Sequence, residues 1–189
     1  MRAVGPSRYL TYFALAVGGC LIDLATKHQV FASLGMPGGE TKWIWPEVFG
    51  HHFAFQTSLN EGALFGLGQG SVALLAVLSI AAAAAILYWL FFADAARSLL
   101  MTIALGSITA GILGNLYDRL GLPQLHWNFA SHVHLQGDPV YAVRDWILVM
   151  LGSYPWPTFN IADSMLVCGA TLMGWHAFRG GSPLENEAR

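Results

Sequence analysis

Five short polar clusters interrupt an otherwise apolar chain. They are Asp23-Leu-Ala-Thr-Lys27, Asn60-Glu-Gly-Ala-Leu-Phe65, Gly114-Asn115-Leu-Tyr-Asp118-Arg119, Val143-Arg-Asp145-Trp146 and Phe159-Asn160-Ile-Ala-Asp163. Taken singly, each has a structural explanation. Asp23 and Lys27 stand four apart, the spacing of an ion pair along a helix. Asp118-Arg119 reads as a polar helix terminus, and Asp163 beside Ser164 as a helix cap. Taken together, three asparagines, four aspartates and an arginine must share one end of a small bundle. Two carboxyls sharing a water, one protonated and one ionised, suit peptide hydrolysis without a metal or a covalent intermediate. On residue type alone, Asp118 and Asp145 are equally good partners for Asp163.

Other protease chemistries lack their signatures. There is no His-Glu-x-x-His zinc motif and neither a Gly-x-Ser-x-Gly nor a Gly-x-Ser-Gly serine site. Tyr117-Asp118 is similar to one aspartate motif of presenilin-type proteases, but the partner Gly-x-Gly-Asp motif is missing. His126, His132 and His134 lie near Asp138, and His51 adjoins His52. Without helical spacing or a nearby glutamate they read as solvated loop residues rather than a zinc site. No metal or other cofactor is expected.

The elements that must position these groups are membrane helices. Hydrophobic residues make up 55% of the 189, charged residues only 11%, and mean hydropathy is +0.51. A soluble domain carries about a quarter charged residues. The net charge of −2 excludes the basic footprint of a nucleic-acid binder. Apolar runs predict four spans at about 9–27, 71–93, 98–118 and 161–178, in a single domain. Cys20 and Cys168 lie in these runs and read as small core hydrophobes rather than a disulfide. Arg2 and Arg8 before an apolar stretch resemble a signal peptide, and Val17-Gly18-Gly19-Cys20 a lipobox, but Leu21-Ile22-Asp23-Leu24 continues the helix. The segment therefore reads as span one. Lys and Arg divide five to four between the two sides, weakly favouring cytoplasmic termini, while eight acids fall on the other side against three. Trp43, Trp45, Trp127, Trp146 and Trp156 fall there too, as headgroup anchors would. Residues 52–59 partly alternate, as a half-buried strand would. Residues 180–189 read as a disordered tail.

The ordered set of motifs resembles lipoprotein signal peptidase, the type II signal peptidase of bacterial membranes, over roughly residues 9–178. The resemblance implies a mainly helical membrane protein, with four transmembrane helices and a small extracytoplasmic β-cradle. It implies an aspartic endopeptidase of the bacterial cytoplasmic (inner) membrane, with the site near the extracytoplasmic face. The enzyme would cut prolipoproteins just before a diacylglyceryl-modified cysteine, and globomycin-type lipopeptides would inhibit it. Val143-Arg-Asp145-Trp146 and Phe159-Asn160-Ile161-Ala162-Asp163 match the motifs that carry the family's catalytic aspartates, so Asp145 and Asp163 are implied to be catalytic. Asp23, Lys27, Asn60, Asn115, Asp118, Arg119 and Asn160 match supporting positions, with Gly62 and Ala162 beside them. The resemblance thus assigns Asp118 to support. One departure stands out: the link from Arg119 to Asp145 is much longer than the family's, so residues 121–141 read as an inserted loop carrying the histidines.

Overall fold

The computed structural model describes residues 4–45, 52–62, 70–93, 95–130 and 133–179. Their order is helix α1 (Pro6–Leu34), strand β1 (Phe53–Asn60), helix α2 (Val72–Phe92), a 3-10 turn (Ala95–Arg97), helix α3 (Leu99–Arg119), strands β2 (Val143–Leu151) and β3 (Tyr154–Phe159), and helix α4 (Ile161–Phe178). The chain divides into two compact units. The first takes residues 1–22, 79–113 and 161–189, and the second residues 23–78 and 114–160.

The first unit is helical. Its core gathers Tyr12, Ala16, Ile86, Leu90, Leu105 and Ile112. The Tyr12 hydroxyl is hydrogen-bonded to Thr109 Oγ1 at 2.9 Å, which satisfies both groups where water is excluded. Glycines set the helix spacing. A Cβ on Gly169 of α4 would lie 2.7 Å from the Ala104 carbonyl oxygen and 2.6 Å from Ile108 Cγ1 of α3. One on Gly111 would collide with the Ala162 carbonyl. Small residues at such crossings let backbones approach where dispersion must do the packing.

By length and composition α1, α2 and α3 can each cross a bilayer. The outward side chains suit lipid, since Leu74, Val77, Leu78 and Ile80 of α2 are all more than half exposed. Helix α4 occupies the predicted fourth span, and its 18 residues reach about 27 Å, just under the roughly 30 Å hydrocarbon core. Helix α1 overruns its predicted end at Lys27. It continues to Leu34 and stops at Gly35, whose φ of +81° is a left-handed helix terminus. Gly121, φ +69°, ends α3 in the same way.

The second unit holds an antiparallel sheet in the order β1-β2-β3. The predicted strand at 52–59 is β1. An extra residue in β1 between Phe55 and Ser58 makes a bulge, after which Ser58 faces Asp145 and Asn60 faces Val143. Thr57, at the bulge, exchanges hydrogen bonds with Met36, Gly38 and Gly39. Further bonds from Thr41 to Phe55 and from Ile44 to Phe53 cover the outer edge of β1 with residues 36–44. Strand β3 forms the other edge and carries Pro155 and Pro157, which cannot donate to a ladder.

Residues 121–141 fold back on themselves. Val140 N donates to Leu125 O at 2.9 Å, Trp127 N to Asp138 O at 2.9 Å, and Gly137 N to Trp127 O at 2.8 Å. Trp127 packs with Val140 and Ala142.

Three side-chain expectations need correction. Trp127 and Trp146 are buried in this unit instead of anchoring at a headgroup surface, because each has a packing partner, Val140 for one and the Phe55 ring for the other. Cys168 is free but exposed, on the outward side of α4 rather than in a core. His134 is only partly solvated: its imidazole stacks on Trp127 at 4.4 Å and its Nε2 lies 2.7 Å from Glu61 Oε1.

Candidate active site

The end of α1 brings two charges into the second unit on one helical face. Asp23 and Lys27 are both fully buried, with Nζ 2.7 Å from Asp23 Oδ2. An ammonium has three protons to place. The other two acceptors come from α3, with Asp118 Oδ2 and Asn115 Oδ1 each 3.0 Å from Nζ. Asn115 and Asp118 are three residues apart in the last turns of α3, so they share a face. Lys27 therefore has every donor matched.

Asp118 is equally committed. Its Oδ2 takes Lys27 and the Arg144 backbone N–H at 3.1 Å. Its Oδ1 takes Arg144 Nε and Nη2, both at 2.8 Å. Four donors fill the lone-pair sites of one carboxylate. Lys27, Arg144, Asp23 and Asp118 also sum to zero charge, which is what lets four ions be buried together.

Asp145 follows Arg144 on β2, and adjacent strand residues point to opposite faces. It is 1% exposed. Asn160 Nδ2 donates to its Oδ1 at 2.6 Å, and Asn60 Nδ2 to its Oδ2 at 3.2 Å. Asn60 reaches it diagonally across the β1-β2 pair, from the register set beyond the bulge. The Asn60 Oδ1 accepts from Gly62 N at 2.9 Å, a local turn that fixes the amide. The Asn160 amide also donates to Asn115 Oδ1 at 3.2 Å. A continuous line thus runs Lys27–Asn115–Asn160–Asp145. Arg119 Nη2 donates to the Gly62 carbonyl at 3.2 Å, tying the end of α3 to the segment after β1.

The second unit therefore gathers nine of the eleven residues singled out from the sequence: Asp23, Lys27, Asn60, Gly62, Asn115, Asp118, Arg119, Asp145 and Asn160. Ala162 and Asp163 belong to the first unit. Ala162 is fully buried, and Asp163 sits in the first turn of α4. Asn160, which donates to Asp145, is the residue just before that helix in the chain. Leu64 and Phe65 lie outside the described residues, as do His51, His132 and the 180–189 tail.

Arg144 and Glu61 were not singled out from the sequence. Arg144 carried a usable signal: an arginine on a strand between Val143 and Asp145 has to find an acid. Glu61 carried none, since its partner His134 lies 73 positions along the chain.

Comparison with known proteins places the chain in a family. The model of the family described as signal peptidase (SPase) II matches residues 15–179. The lipoprotein signal peptidase of Rhodopirellula baltica is 44% identical over 184 residues, covering 96% of this chain and 78% of that protein. The one from Streptomyces coelicolor is 33% identical over 183 residues, 96% of this chain and 77% of its own. A bacterial membrane enzyme solved by the in meso method at 2.3 Å superimposes with a TM-score of 0.71 at 26% identity, covering 92% of this chain and 91% of the other.

Proposed function

The chain belongs to the signal peptidase II family, and from that premise we propose that it removes signal peptides from diacylglyceryl-modified prolipoproteins with a water activated by Asp145 and Asp163. One carboxylate takes a proton from the water, whose oxygen attacks the carbonyl carbon just before the lipidated cysteine. The other carboxyl protonates the carbonyl oxygen, giving a gem-diol. As the C–N bond breaks, the first carboxyl passes the water's proton to the leaving amine and the second recovers its proton from a gem-diol hydroxyl. No cofactor takes part.

The observation that carries this reading is the contrast between two buried carboxylates. Asp118 is filled by four donors from Lys27 and Arg144. Asp145 is held in place by the amides of Asn60 and Asn160, an arrangement that orients a carboxylate. Asp163 follows Asn160 by three residues along the chain. Asn115 and Asn160 act in this scheme by holding Asp145. Arg119 holds the backbone at Gly62. The apolar helices seat the substrate's acyl chains, and Phe53 and Phe55 of β1 bear on its polar part.

We place the protein in the bacterial cytoplasmic membrane as a single four-span domain. Both termini are cytoplasmic, and the sheet is a cradle on the extracytoplasmic side. The test is cleavage of a diacylglyceryl-modified precursor by the purified protein, with and without globomycin. Asp145→Asn and Asp163→Asn should each abolish cleavage in a folded protein, and globomycin should block the wild type. Full activity in Asp145→Asn would overturn the dyad.

A further inference from the structure

We infer that the second unit contains a binding site for a phosphate oxyanion, of the kind carried by anionic phospholipid headgroups, built around Arg144 on the face of β2 opposite Asp145. A cavity of about 490 Å³ opens there, within the usual range for small-molecule sites. One wall is a helical stripe of α1 that includes Leu24, His28 and Phe31, and the other includes Leu122, Gln124 and Arg144. No acidic residue is among the described residues that line it.

Arg144 is 4% exposed. Its Nε and Nη2 are turned to Asp118, and its guanidinium carbon lies 6.0 Å from the centroid of the Phe31 ring. Among the described residues Nη1 has no hydrogen-bond partner. This donor belongs to a side chain that lines the cavity, where it is available to an acceptor. Guanidinium N–H groups in a plane match the oxygens of a phosphate or carboxylate. His28 and Gln124 add further polar groups on either wall, while Leu24, Phe31 and Leu122 offer apolar contact to a glycerol and the start of its acyl chains. Because the four buried ions sum to zero, the site offers an anion oriented donors rather than net positive charge. That favours a ligand held also by its apolar part. This site does not depend on the dyad, and no step of the cleavage scheme uses it.

The experiment is the thermal unfolding midpoint of the full chain in neutral detergent at fixed ionic strength. The additions are phosphatidylglycerol, diacylglycerol without phosphate, or inorganic phosphate. Phosphatidylglycerol should raise the midpoint by a few degrees, as a ligand of the native state does, and diacylglycerol should not. A similar rise with inorganic phosphate would assign the site to the free ion, and none would assign it to the lipid. Ala32→Trp and Leu122→Trp fill the cavity from opposite walls while leaving the Arg144–Asp118 contacts intact. Either variant that retains the wild-type midpoint without additions should lose the rise and still cleave precursor. The proposal fails if neither phosphate compound shifts the wild type, or if the shift survives in the filled variants.

Discussion

Asp118 and Asp145 are the same residue type in similar-looking motifs, yet they sit among different donors, cationic for one and amide for the other. The difference lies in their donors, which come from residues far away in the chain. Lys27 reaches Asp118 from α1, and Arg144 reaches it from β2. No spacing rule in the sequence pairs position 27 with 118, which is why residue type alone left the two acids level. The resemblance to a family separated them in role, and the structure adds that their hydrogen-bond donors differ. Removing one member of a buried ion cluster strands the others, at a cost of about 3–5 kcal/mol. Asp118→Asn should therefore lower stability by that order in a denaturant titration in detergent micelles. Asp145→Asn, held by amides, should lose turnover with a smaller stability change. Lys27→Met should behave like Asp118→Asn, since it leaves Asp23 and Asp118 buried without the ammonium that separates them. Wild-type stability in Lys27→Met would mean that the cluster is not buried in the native protein.

At the level of elements, the apolar runs located the helices well because burial in lipid needs only length and composition. The end of α1 was misplaced for the same reason: Lys27 looked like an interfacial stop, but paired acids let a helix carry a lysine onward. Strand β1 was legible from its alternation, while its bulge was not, because the extra residue is defined only by pairing with β2. The partners of β2 and β3 were likewise hidden, since long-range pairing leaves little local signal. Helix crossings add a constraint that sequence hints at only through isolated glycines. Gly169→Leu should drive a side chain into the Ala104 carbonyl and Ile108. The α3–α4 crossing would have to widen, costing about 1–3 kcal/mol. A lowered unfolding midpoint, with Gly18→Ala as a control whose Cβ meets nothing within 4 Å, checks this.

For the whole molecule, one-sided acidity and four apolar runs were enough to indicate a membrane enzyme, and the ordered motifs its family. What they left open was whether the long insertion displaces Asp145. The folded-back legs bear on the cost of that insertion, through loop-closure entropy. Closing a loop costs only about 0.6 kcal/mol for each doubling of its length, so an insertion whose ends already meet is nearly neutral to the rest of the fold. The Gly137 N–H bonded to the Trp127 carbonyl marks where the ends meet. If residues 128–136 are replaced by any two turn-forming residues, that same bond becomes the closing bond of a β-turn, between its first and fourth positions. The ion pair given up among the described residues is His134–Glu61, partly exposed and worth about 0–1 kcal/mol. The shortened protein should cleave precursor within about twofold of the full chain, the difference expected from so small a change. It would carry the insertion's scaffold as a minimal hairpin, with Trp127 and Val140 still packed together beneath it.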